Sequence, residues 1–232
     1  MKAWKKISAL VLALGLTAGF AACGGGNDGD SNSSAPAGEP ERIVLSAGKT
    51  YQDALMEYFN KLYAETNVTI VYTKVQTVEE AGAIDVVSVD GTAQFQGGKW
   101  YMEQTYTRDN QMGEVKLYYG EVDGVDYAWS WTNDGETWES IVSPVDVSTV
   151  EFMFSNFEDS GYLKADGDIS FNSNTGMNEV TNWGKPTLEV KIIGGKIVEY
   201  KVTDDTNAVL ESGTITYGTA TVGELPALTP AE

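Results

Sequence analysis

The sequence predicts a mainly β (α+β) domain: one curved antiparallel sheet with one or two amphipathic helices across its apolar face. Three observations predict it. From Val68 onward, most of the chain alternates apolar and polar residues with period two. Gly- and Asp-rich dipeptides punctuate that alternation at hairpin spacing, and two segments, one ahead of it and one within it, have the period of a helix. Period-two alternation belongs to strands with one covered face and one wet face.

The first helix starts after Thr50, with Asp53 in the capping-box position. Tyr51, Leu55, Tyr58, Phe59 and Leu62 share one face of it, and Asn67 is the expected stop. The apolar strand parity then runs Val68/Ile70/Tyr72, Val87/Val89, Ala93/Phe95 and Trp100/Met102/Tyr106. It continues through Val115/Leu117/Tyr119 and Val125/Tyr127/Trp129/Trp131. Asp90-Gly91, Gly97-Gly98, Asp123-Gly124 and Asp134-Gly135 read as hairpin turns. A second helix is expected where Ser148 and Glu151 form a capping box ahead of Met153, Phe154 and Phe157. Strands resume at 162–164, 187–193, 196–203 and 213–222, with turns at Gly194-Gly195 and 204–207.

Ahead of the domain lies an export signal. Lys2, Lys5 and Lys6 precede an apolar run, 7–16, that is too short for a comfortable membrane span. Ala21 and Ala22 lead into Cys23, the chain's only cysteine. This resembles the lipobox of bacterial lipoproteins, in which the cysteine is diacylated and becomes the mature N-terminus. Phe20 stands where that family more often has Leu. The alternative is an ordinary secretory signal cleaved after an Ala-x-Ala-like site. Residues 24–42 form a Gly/Ser/Pro/acid-rich tether with a reach of roughly 25 Å. The expected organisation is therefore a signal peptide over 1–22, a lipidated cysteine and disordered tether over 23–42, and one domain over 43–232.

Charge and composition exclude several functions. Lys2, Lys5 and Lys6 are the only charges in 1–22, so losing them turns the formal −19 into −22. Such a surface repels nucleic acid and anionic headgroups and keeps a monomer dissolved. No histidine is present, which removes Ser-His and Cys-His catalysis and ordinary zinc sites. Ser46-Ala-Gly-Lys-Thr50 imitates the end of a P-loop, but Ile43 occupies the position of the first glycine. Asp166/Asp168 and the 204–207 cluster lack calcium-loop spacing and read as turns. No G-x-S-x-G nucleophile elbow occurs. The expectation is a protein that is not an enzyme and carries no cofactor or metal.

The order of anchor, tether, helix, long meander, helical insert and closing strands resembles the LolA/LppX/LprG-like lipoproteins. The resemblance includes the closing run Gly213-Thr-Ile-Thr-Tyr-Gly-Thr-Ala-Thr-Val222 and the Glu-Leu-Pro that ends at Pro226. It implies a half-barrel whose open, apolar side is crossed by helices and binds lipid acyl chains. The expected function is a membrane-anchored, extracytoplasmic carrier of a lipid or other apolar ligand. The candidate ligand-binding residues are Leu55, Tyr58, Phe59, Leu62, Trp100, Met102, Tyr106, Tyr119, Tyr127, Trp129 and Phe154, with Cys23 as the lipidation site. Each large aromatic left wet forfeits ~2 kcal/mol, so this parity must be covered by helices or by ligand. The second reading is an envelope interaction module with a solid core.

Overall fold

The computed structural model describes residues 38–80, 83–108, 111–133, 138–144, 168–181 and 187–226. Cys23, the expected helix around Phe154, the strand at 162–164 and the Asp134-Gly135 turn lie outside the described residues. The described chain is mainly β, as expected. It holds one helix, α1 (Tyr51–Tyr63), and eleven strands. These are β1 (Asn67–Glu80), β2 (Ala83–Gln96), β3 (Lys99–Arg108), β4 (Gln111–Val122), β5 (Val125–Asn133) and β6 (Trp138–Pro144). After them come β7 (Asp168–Asn172), β8 (Met177–Thr181), β9 (Thr187–Ile193), β10 (Lys196–Thr203) and β11 (Val209–Tyr217).

All eleven strands form one antiparallel sheet in the order β6-β5-β4-β3-β2-β1-β11-β10-β9-β8-β7. It is two meanders joined along a single seam, where β1 pairs with β11. β6 and β7 are its edges, so the sheet is open. Two-residue turns at Gly97-Gly98, Asp123-Gly124 and Gly194-Gly195 hold every turn residue at positive φ, which glycine and aspartate tolerate best.

Asp90-Gly91 is not a turn. β2 passes straight through it, with Gly91 paired to Tyr72 and Gln104. A Cβ at Gly91 would come within 2.5 Å of the Tyr72 ring, and one at Gly213 within 2.5 Å of the Tyr200 ring. These glycines are seats for tyrosine rings on paired strands, a role that sequence cannot tell apart from a turn.

Thr50 and Asp53 form the expected capping box: Thr50 Oγ1 accepts from the Asp53 N–H at 3.1 Å, and Asp53 accepts from the Thr50 N–H at 2.8 Å. The helix ends at Tyr63, with Ala64 as its cap, four residues short of Asn67. Leu55, Phe59 and Leu62 are buried where α1 lies against β10, in the same cluster as Ile192 and Ile197. Tyr51 and Tyr58 are half-buried.

Both flanks of the domain are pinned by side-chain amides. Asn178, fully buried, accepts the Ile43 N–H at 2.7 Å and donates to the Glu41 carbonyl at 2.8 Å. The Glu41 N–H bonds the Ile192 carbonyl at 2.8 Å. Residues 38–42, assigned above to the tether, are thus described, and the chain around Glu41 is docked on the sheet. Main-chain bonding of this kind leaves no apolar period to read. The closing strand also differs from expectation: β11 stops at Tyr217 because Gly218 turns at φ 74° and bonds the Asn67 carbonyl. From there 219–226 forms an outer strap. Asn67 Oδ1 accepts from the Ala220 N–H at 2.8 Å, and Gln96 Oε1 from the Val222 N–H at 3.0 Å. Leu225 fills the space above Gly120.

Candidate functional site: the inner face of the sheet

Cross-strand partners share a face, so the register sorts every side chain. The inner face carries Val68, Ile70 and Tyr72 of β1, and opposite them Phe95, Ala93 and Gly91 of β2. Trp100, Met102 and Gln104 of β3 follow, then Tyr119, Leu117 and Val115 of β4. On the other side of the seam it carries Ile215 and Gly213 of β11, Tyr200 and Val202 of β10, and Val190 and Leu188 of β9. Trp100 is 3% exposed and Tyr119 5%.

Of the candidate ligand contacts, this face brings together Trp100, Met102, Tyr106 and Tyr119, and its buried cluster also takes in Leu55, Phe59 and Leu62 of α1. Tyr58 is half-buried and packs against that cluster. Tyr127 and Trp129 are not on this face. In β5, Ala128 pairs with Tyr119 and Ser130 with Leu117, so Ala128 and Ser130 point inward. Tyr127, Trp129 and Trp131 point outward beside Gly120, Tyr118 and Lys116. The cause is the two-residue turn at Asp123-Gly124, which pairs odd-numbered residues of β4 with even-numbered ones of β5. The apolar parity of β5 is real, but it belongs to the other face. There the Tyr101 and Tyr118 rings meet at 4.6 Å, tilted by 45°, and Trp131 meets Tyr118 edge-on at 5.7 Å. Phe154 lies outside the described residues.

The inner face is graded along its strands. Near α1 it is apolar. One row further along lie Tyr200, Gly213, Tyr72, Gly91 and Gln104, side by side in register. The Gln104 amide donates to the Tyr72 hydroxyl, which donates in turn to Met102 Sδ at 3.2 Å. The next row holds Glu211 between Val202 and Lys74. Tyr200 donates its hydroxyl to Glu211 at 2.8 Å. Burial raises the Glu211 carboxyl above its ordinary value, opposed by the positive charge of Lys74 and the Tyr200 hydrogen bond. Burial likewise holds Tyr119 up at about 12 and Tyr72 higher still. Beyond them Arg108 pairs with Asp85. None of these polar residues was among the candidates. Their signal was available: Lys74 and Glu211 sit on the covered parity of their strands, where a charge is out of place.

Trp100 Nε1 is buried with no hydrogen-bond partner among the described residues. A sealed donor of this kind costs ~1–3 kcal/mol.

Two of the motifs set aside on sequence behave as structural elements, and Asp166 of the third lies outside the described residues. Lys49 pairs with Glu57 and Thr50 caps α1, so the imitation P-loop is a helix start. Asp204 Oδ1 accepts from the Thr206 and Ala208 N–H groups, both at 2.8 Å, and so ties its own turn. Among the described residues no three acidic or cysteine side chains gather as a metal site.

No protein-family model matches the chain, and no curated protein matches it either.

Proposed function

We propose that this chain is an exported lipoprotein, acylated at Cys23, whose half-barrel domain holds a lipid or other apolar ligand against the inner face without performing chemistry. The supporting observation is one of proportion. Eleven strands spaced ~4.8 Å apart make a sheet roughly 48 Å across, whereas a thirteen-residue helix is about 20 Å long. A helix of that size cannot span such a sheet, so the wall of Trp100, Met102, Leu117 and Tyr119, buried in one cluster with Leu55, Phe59 and Leu62, is wider than the helix that lies on β10. The unpartnered Trp100 N–H on the same wall favours a ligand that brings an acceptor, such as an ester carbonyl. Mass spectrometry of the protein released gently from its native membrane tests this. One co-purifying lipid per chain is the expected result, and a clean protein refutes it.

A second reading has its own support. The inner cluster is tightly sealed, with Phe59, Leu188, Val190 and Ile192 all at 0% exposure. That suits a solid core, with the acidic outer surface docking on another envelope component. A ligand-free protein that unfolds at the same temperature with and without added lipid would favour it.

A further inference from the structure

We infer that the Glu211 row is a headgroup subsite, which receives the uncharged, hydroxyl-bearing end of an amphiphile whose chain lies on the apolar rows. This rests on the reading above that the inner face takes an apolar ligand.

Charge belongs on the outside of this sheet. There Lys116 pairs with Glu103, Lys191 with Glu199 and Lys201 with Glu189, each across neighbouring strands. The inner face departs from that pattern beside its sealed rows, at the end away from α1. Glu211 is set between Val202 and Lys74, next to the Tyr200–Gly213–Tyr72–Gly91–Gln104 row. Val202 beside it is sealed, yet Glu211 keeps partial exposure. Its Oε1 takes the Tyr200 hydroxyl, and among the described residues its Oε2 accepts no hydrogen bond. That exposure leaves Oε2 open to water, whose place a ligand's donor can take.

The balance of charge selects the donor. Lys74 faces Glu211, and Arg108 faces Asp85. Neither cation is surplus, so a phosphate finds no counter-charge, and the net charge of −19 repels it further. Nor is a carboxylate surplus, so an ammonium head gains little. A hydroxyl both donates and accepts. It can donate to Glu211 Oε2 and accept from the Lys74 ammonium on the neighbouring strand. The apolar rows begin within the same strands, at Ile70, Met102 and Ile215. Head and chain thus have adjoining places.

The test measures binding of the full chain to four probes that share one palmitoyl chain: 1-palmitoylglycerol, palmitate, palmitoyl lysophosphatidate and palmitoylcholine. The expected result is that 1-palmitoylglycerol binds about tenfold tighter than the charged three, as one charge-assisted hydrogen bond allows. Glu211→Leu, which suits the neighbouring Val202 and Leu188, is expected to erase that preference. With Glu211 gone Lys74 is surplus, so palmitate should bind tighter than it does to the wild type. Glu211→Gln keeps the shape of the side chain and should lose part of the preference, which guards against a folding defect in the first variant. Four probes binding alike would overturn the subsite and leave the chain-binding reading standing. A Glu211→Leu protein that keeps the preference would also overturn it. Binding of none of the four would overturn both.

Discussion

Gly213 and Tyr200 show how little room single residues have here. The ring lies where a side chain on residue 213 would be, so Gly213→Ala forces a shift in a paired strand. We expect it to cost ~1–3 kcal/mol in urea denaturation, as overpacking does. Gly223→Ala, with nothing near its Cβ, should leave the midpoint unchanged. Glu211 makes a pH prediction of definite sign. Its carboxyl is raised chiefly by burial, so the folded state holds the proton longer than the unfolded state does. The stability it contributes is fully present below the ordinary value of 4.5 and is lost as pH rises through the raised folded value. Glu211→Gln lacks this dependence. The variant's Tm relative to wild type should therefore climb with pH from about 4.5 upward, and a constant difference would contradict the burial of that carboxylate.

Elements were legible to different degrees. α1 was readable because Thr50, Asp53, Leu55, Phe59 and Leu62 state start and face in local terms. The turns at Gly97-Gly98 and Asp123-Gly124, and the bounds of β9 and β10, were readable for the same reason. Gly91 was misread because a glycine that seats a ring and a glycine that makes a turn look alike in one dimension. β5 was assigned its parity correctly and its face wrongly, since facing depends on the register that a preceding turn imposes. β7 and β8 were not foreseen: Asp168–Asn172 and Met177–Thr181 are five residues each, too short to show a period. For α1 itself, Phe59→Ala should cost ~3–5 kcal/mol by leaving a cavity against the sheet. Leu62→Glu separates the two functional readings. If α1 is a lid, lipid loading is lost while far-UV circular dichroism keeps its β signature. If Leu62 is only a core residue, fold and loading fall together.

On the scale of the whole molecule, the address and the fold class come from different kinds of signal. The stretch ahead of Cys23 that resembles a lipobox is contiguous, so the proposed address can be read without a fold. Cys23→Ala should move the protein from the detergent-soluble membrane fraction to the aqueous one, seen by phase partitioning, because no acyl chain can then be attached. The candidate site is distributed over strands far apart in sequence, and only half of its character was readable. The apolar rows announced themselves through alternation, whereas the polar row at Tyr72, Gln104, Tyr200 and Glu211 exists only once four strands are aligned.

The joint between β1 and β11 has a consequence for how the chain reaches its final form. Asn67 and Ala220, bonded across that joint, are 153 residues apart. Six strands can zip from one hairpin to the next as they appear, and five more can do likewise, but the two halves stay unstitched until the last strand arrives. Closing so large a loop is slow. A chain threaded head-first through a membrane pore would thus remain pliant for most of its passage and lock only at the end.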